Sequence, residues 1–193
     1  MTKYLFLICI LSFLNACSST NSDSSNLGGT RFYALSSLSP NTSSNKPLRI
    51  GVGPLNIPQL INRPQIVSRK NETEIVMSEK HQWGGSHKEE IIQAITDNLS
   101  SLLKTENIEQ YPWKFKFKPD YQVRINLERF DGELGKNVTL KARWRLLKNN
   151  KEILVKRAVI NTPITGYTYS DYVKAQSQAL KTFTQQISQQ IYP

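Results

Sequence analysis

Side chains able to do chemistry are sparse in this chain of 193 residues. The only two histidines, His81 and His87, lie six apart and flank Trp83 and Gly84-Gly85. A histidine pair at that spacing with no cysteine nearby is a poor zinc signature, so both read as solvated loop residues. Asp120, Asp131 and the scattered glutamates show no paired spacing suited to acid–base work. Gly51-Val52-Gly53-Pro54 lacks the third glycine and the Gly-Lys-Ser/Thr of a phosphate loop, and Pro54 removes an N–H. The expectation is a protein that is not an enzyme, with no metal and no cofactor. The remaining reactive groups are the thiols of Cys9 and Cys17, the only cysteines.

Cys17 ends a recognisable pattern. Lys3 supplies a positive start, and Tyr4 to Leu14 is almost wholly apolar over about eleven residues. A transmembrane helix needs roughly 20. A polar Ser/Asn tract follows at once, which fits the apolar region of a secretory signal peptide. Leu14-Asn15-Ala16-Cys17 resembles the bacterial lipoprotein box, in which cleavage falls before the cysteine. The thiol then receives a diacylglycerol and the new amine a third acyl chain. Each buried methylene contributes about 0.8 kcal/mol and one chain anchors only marginally, so three chains on one residue make a lasting anchor. Cys9 would be discarded and Cys17 acylated, which leaves no disulfide. In enterobacterial lipoproteins an Asp after the cysteine resembles an inner-membrane retention signal; Ser18 stands there in this chain, and the resemblance implies the outer membrane, on its periplasmic face.

The net charge of +10 suggests nucleic acid, anionic lipid or an acidic partner. An exported chain does not meet nucleic acid, so nucleic-acid binding is set aside. Lys141, Arg143 and Arg145 alternate along one segment, with Lys148, Lys151, Lys156 and Arg157 nearby. Lys114, Lys116 and Lys118 alternate with Trp113, Phe115 and Phe117. The alternatives are a solvated strand face and a docking surface for an acidic partner or lipid headgroups. Trp144 has inward parity and reads as core. Trp83, just before a helix, fits a staple or an interface.

The elements that would position these residues follow from periodicity. Residues 1–16 read as the signal peptide, 17–30 as a flexible Ser/Asn/Gly tether, and 31–193 as one globular domain. Arg31 to Leu35 and Leu48 to Val52 read as strands, with Pro54 and Pro58 ending the second. Gln65–Arg69 and Glu74–Ser78 form a hairpin pattern. Ser86 to Lys104 is the clearest helix, opened by the S-x-x-E box of Ser86 and Glu89. Its stripe is Ile91, Ile92, Ile95, Leu99, Leu102 and Leu103. Tyr121 to Phe130, Val138 to Leu146 and Ile153 to Ile160 alternate as strands of an antiparallel meander, with Asn149-Asn150 as a turn. A last helix runs from Ser170, its expected cap, to Ile191. Two one-sided helices need a sheet to bury against. The expected fold is a single α/β domain: a mixed, largely antiparallel sheet with two main helices packed on it.

Several ordered segments resemble the PqiC family of ABC-type transport auxiliary lipoproteins. They are Phe32-Tyr33-Ala34-Leu35, Ile50-Gly51-Val52-Gly53-Pro54 with Ile57-Pro58, and Arg63-Pro64-Gln65-Ile66-Val67-Ser68-Arg69. Trp83, Asp97-Asn98-Leu99, Tyr111-Pro112-Trp113, Phe130-Asp131-Gly132 and Val138-x-Leu140-x-Ala142-x-Trp144 follow in the same order. Where the family shows an acidic residue after the tryptophan, this chain has Gly84-Gly85. The resemblance implies a fold like the N-terminal domain of TolB and no catalytic role. It also implies an outer-membrane lipoprotein that docks a periplasm-bridging MCE-domain protein (PqiB-like) with an inner-membrane partner (PqiA-like), moving lipid and supporting envelope integrity. The alternative is an envelope-assembly lipoprotein serving lipopolysaccharide export or cell-wall synthesis. The candidate partner surface is Arg63, Trp83, Lys141, Arg143 and Arg145; homo-oligomerisation is left open.

Overall fold

A computed structural model describes residues 29–39 and 47–191. Cys9, Cys17, the signal segment and nearly all of the tether lie outside the described residues. The expected meander is present. Strands β6 (Tyr121–Glu133), β7 (Asn137–Lys148) and β8 (Lys151–Pro163) pair antiparallel in sequence order. Asn149 and Asn150 turn between β7 and β8 with φ of 48° and 63°, the left-handed pair that a two-residue hairpin demands. Val123, Ile125 and Leu127 of β6 face inward as their alternation requires. A register shift between Leu127 and Arg129 then changes the parity and sends Phe130 into the core.

β6 is the spine of the sheet. Along one edge it carries β7 and β8. Along the other edge its first half pairs with β2 (Ile50–Asn56), which pairs on with β5 (Ile108–Gln110). Its far end meets β3 (Gln65–Arg69) at Arg69↔Glu133. β3 continues to β4 (Ile75–Trp83) and then β1 (Arg31–Tyr33). The β1·β4, β2·β5, β2·β6 and β3·β6 pairings are parallel. The sheet is therefore mixed rather than largely antiparallel. Alternation reports which face a residue occupies but not the direction of the neighbouring strand.

Two other expectations need correction, and one strand is unexpected. β2 runs through Pro54 to Asn56 instead of ending before it. Pro54 falls where the β2–β6 register shifts, between Val52 and Leu55, a place where a missing N–H costs no ladder bond. β5, with Ile108 as its one apolar residue, is too short to carry a periodic signal. The C-terminal helix is capped by Thr168, not Ser170. Thr168 Oγ1 accepts from the Asp171 N–H at 3.2 Å, and the Asp171 carboxylate accepts from the Thr168 N–H at 3.3 Å.

Helix α1 (His87–Leu103) begins on Ser86, whose side chain accepts from the Glu89 N–H, and ends on Lys104 in the left-handed conformation. Helix α2 spans Tyr169–Ile191. Ile91, Ile95 and Leu99 of α1 meet Leu180, Phe183 and Ile187 of α2 in one core with Trp144 and Phe130 of the sheet. Leu102 is only half-buried. Asn98, expected outside the stripe, is 1% exposed because Oδ1 accepts from the Leu38 N–H at 2.7 Å. That bond belongs to the extended segment 34–39, which also ties Leu35 N–H to Glu90 and Ser36 N–H to Ser177.

Candidate functional site

The inner parity of β6 and β7 is largely apolar and buried. Arg124, Asn126 and Glu128 of β6 and Lys141, Arg143 and Arg145 of β7 make an outer parity rich in basic residues, which β8 continues with Arg157 among exposed branched side chains. Cross-strand register arranges the outer residues in rungs. One rung runs Asn56–Asn126–Arg143–Arg157 across β2, β6, β7 and β8. The next runs Arg124–Arg145–Val155. Lys141 lies beyond Arg143, opposite Arg129 and Val159. Arg124↔Arg145 and Arg143↔Arg157 are like charges placed directly opposite, an arrangement that costs stability in a sheet.

Carboxylates relieve this only in part. Glu152 accepts from Arg145 at 2.7 Å. Glu128 lies 3.8 Å from Arg143 and 3.4 Å from Arg157, so one carboxylate serves two guanidiniums. Arg124 reaches only a neutral partner, donating to Gln122 Oε1 at 3.3 Å. Between them is an open groove of about 380 Å³, lined by Pro54, Asn56, Arg124, Ile125, Asn126, Arg143 and Arg145. Its charged lining is all guanidinium, with no carboxylate. Beside it, Ile153, Val155 and Val159 of β8 are 48–55% exposed and share one side of the strand with Arg157.

The other anticipated residues lie elsewhere. Arg63 is half-buried and donates to Met77 Sδ at 2.7 Å, away from the groove. Trp83 is not a surface residue: it is 4% exposed and stacks on His87 with ring centres 4.0 Å apart. The histidines are not solvated loop residues either. His87 opens α1, is 3% exposed, and bonds through Nδ1 to the Ile61 carbonyl at 3.0 Å. Burial lowers its pKa to about 4. His81 sits in β4, bonded to Tyr33 Oη at 2.7 Å and stacked on Tyr169. Burial, helped by Arg31, lowers its pKa as well.

The segment 111–119 is not a strand. Trp113 and Phe117 pack together while Phe115 is fully exposed. Among the described residues, no group of three or more His, Cys, Asp or Glu is placed to hold a metal ion. No described helix is long and apolar enough to cross a membrane.

Several motifs from the sequence meet in packing. Any Cβ at Gly51 would lie 2.7 Å from the Trp113 ring, so the tryptophan seats on bare backbone. Gly132 has the Asn137 and Val138 backbone against it, closer than any side chain allows. Directly before Gly132 in β6, Asp131 is 2% exposed and accepts from Arg69 Nε at 2.8 Å and Arg129 Nε at 2.6 Å.

These features define a single-domain α/β protein with both helices on a curled mixed sheet and a basic, uncovered outer face on the meander. The chain matches the model of the ABC-type transport auxiliary lipoprotein component over residues 33–188, and it belongs to that family. The fold is similar to that of protein XCC0632 from Xanthomonas campestris, of family DUF330. The TM-score is 0.66 at 17% identity, covering 82% of this chain and 93% of that one. A crystal structure of an uncharacterized protein is similar at TM-score 0.69 and 16% identity, covering 84% of this chain and 99% of the other. At these identities the likeness is one of fold. No curated protein sequence matches the chain.

Proposed function

We propose that this chain is a non-enzymatic docking component of an MCE-type intermembrane lipid transport system. It is held at the outer membrane by acyl chains on Cys17 and faces the periplasm. Its partners are a PqiB-like MCE-domain protein and, through it, a PqiA-like inner-membrane protein, and its role is to support envelope integrity. The observation that carries the reading is the family match over residues 33–188, which makes the chain an auxiliary part of a transport system. The basic outer face gives such a component a surface that its own helices leave uncovered. The reading requires no bound cofactor beyond the covalent lipid. The test is cross-linking of the full lipidated chain in cells, followed by purification and mass spectrometry. An MCE-domain protein as the main cross-linked partner supports it. A penicillin-binding protein, a lipopolysaccharide-export protein, or no envelope partner at all overturns it.

A further inference from the structure

We propose that the groove across β2, β6 and β7 binds the phosphate of an anionic phospholipid headgroup. The inference goes beyond the docking role and does not depend on which protein partner is engaged.

Three observations converge. The groove is lined by Arg124, Arg143 and Arg145 with the carboxamides of Asn56 and Asn126, and carries no carboxylate. Guanidinium forks match phosphate oxygens in pairs, which suits them to this ligand better than ammonium groups. Second, Arg124↔Arg145 and Arg143↔Arg157 stand opposite one another, and Arg124 has no carboxylate within ion-pair distance among the described residues. A bound phosphate would supply the counter-charge that Arg124 lacks and that Glu128, shared by Arg143 and Arg157, gives only in part, whereas Arg145 already holds Glu152. Third, a strip of exposed branched side chains, Ile153, Val155 and Val159, runs beside the arginines. A headgroup held in the groove would lay the start of its acyl chains along that strip. An acidic protein segment would satisfy the charges. It would give no reason for an apolar strip on one side of a groove sized for a small group.

The test uses the full lipidated chain in a neutral, non-ionic detergent. The probe is dihexanoyl phosphatidylglycerol, whose binding is followed by ³¹P line width. The wild type is expected to bind it, and Arg124→Gln/Arg143→Gln/Arg145→Gln to lose about ten-fold or more in affinity, one good charge-assisted contact being worth about that factor. Lys70→Gln/Lys116→Gln/Lys174→Gln removes the same charge from exposed positions elsewhere and should change affinity less than about two-fold. Equal losses in the two variants would reduce the effect to net charge and overturn the site. So would displacement of the bound lipid by an equal concentration of dihexanoylglycerol, which has no phosphate, read as recovery of the lipid's ³¹P line width. Inorganic phosphate binding as tightly as the lipid would make the ligand a free anion and overturn the headgroup assignment. A Glu-rich peptide that displaces the lipid and binds more tightly would assign the groove to a protein instead. Circular dichroism of both variants shows that each is folded before binding is compared.

Discussion

Lowering the pH should weaken this fold through His87, by an amount that follows from its surroundings. The ring is 3% exposed, stacked on Trp83 and 6.0 Å from Phe130. In the neutral ring, Nδ1–H donates to the Ile61 carbonyl and Nε2 is left buried with no partner among the described residues. Protonation would place a second N–H in that apolar pocket and a positive charge at the positive end of α1. Burial therefore lowers the folded-state pKa to about 4, against about 6.5 in the unfolded chain. Between those values the unfolded chain binds the proton more readily, so stability falls as pH falls. Relative to pH 7.5, the loss is about 2 kcal/mol at pH 5 and approaches about 3 kcal/mol below pH 4. For a domain of this size, 2 kcal/mol is worth about 4–8 °C in Tm. The assay is urea unfolding of wild type and His87→Phe at both pH values. The variant keeps an aromatic ring on Trp83 and lacks the titrating group, so its stability relative to wild type should rise by about 2 kcal/mol from pH 7.5 to pH 5. A gap that stays constant across that range, or a His87 ring proton titrating near 6.5 by NMR, would refute the reasoning.

Other outcomes follow from single contacts. Asp131→Asn leaves Arg69 and Arg129, whose side chains are 18% and 31% exposed, without their shared carboxylate. Breaking a fully buried pair costs about 3–5 kcal/mol; with this exposure the urea midpoint should report about 2 kcal/mol. Gly132→Ala drives a methyl into the Asn137 and Val138 backbone and should cost about 3 kcal/mol, read as a lowered Tm. Gly84→Ala, whose Cβ would meet nothing nearer than 3.5 Å, is the control and should leave Tm nearly unchanged. Cys17→Ala should abolish palmitate labelling of the full chain, while Cys9→Ala should not; labelling that survives loss of Cys17 would end the anchor reading.

The legible parts of the fold were those whose side chains repeat. The meander and α1 announce themselves because each buries one face, and burial imposes a period of two or 3.6. Strand direction, the fork at β6 and the short β5 leave no such trace. The extension of β2 past Pro54 depends on a register shift with a strand far away in sequence. The motifs shared with the family proved informative about packing. Gly51 seats Trp113, Arg69 reaches Asp131, and Gly132 lets β6 approach β7. Trp83 resembled a surface residue because a tryptophan before a helix suits either side of it; only the stack on His87 decides.

The candidate groove was half legible. Arg143 and Arg145, and separately Arg124 and Asn126, had outward parity on strands that sequence marks clearly. That they form one surface with Asn56 and Arg157 is a matter of register, which no single strand encodes.

The fork at β6 also constrains the order in which the sheet can be assembled. β1 cannot pair until β4 exists, and β2 finds no partner until β5 has been made. Synthesised N-terminus first, the chain makes β1, β3 and β4 as one group and β2 with β5 as another before the spine that joins them, which begins only at Tyr121. Once that spine exists, β7 and β8 close onto it through short turns at little loop entropy, whereas β2 must close a loop of roughly 70 residues. Amides of β6–β8 should therefore gain protection ahead of those of β1 and β2 in pulse-labelled refolding. The strand that waits longest for a neighbour in the sheet is β2, whose IGV core meets its first strand partner only at Ile108, past the middle of the protein.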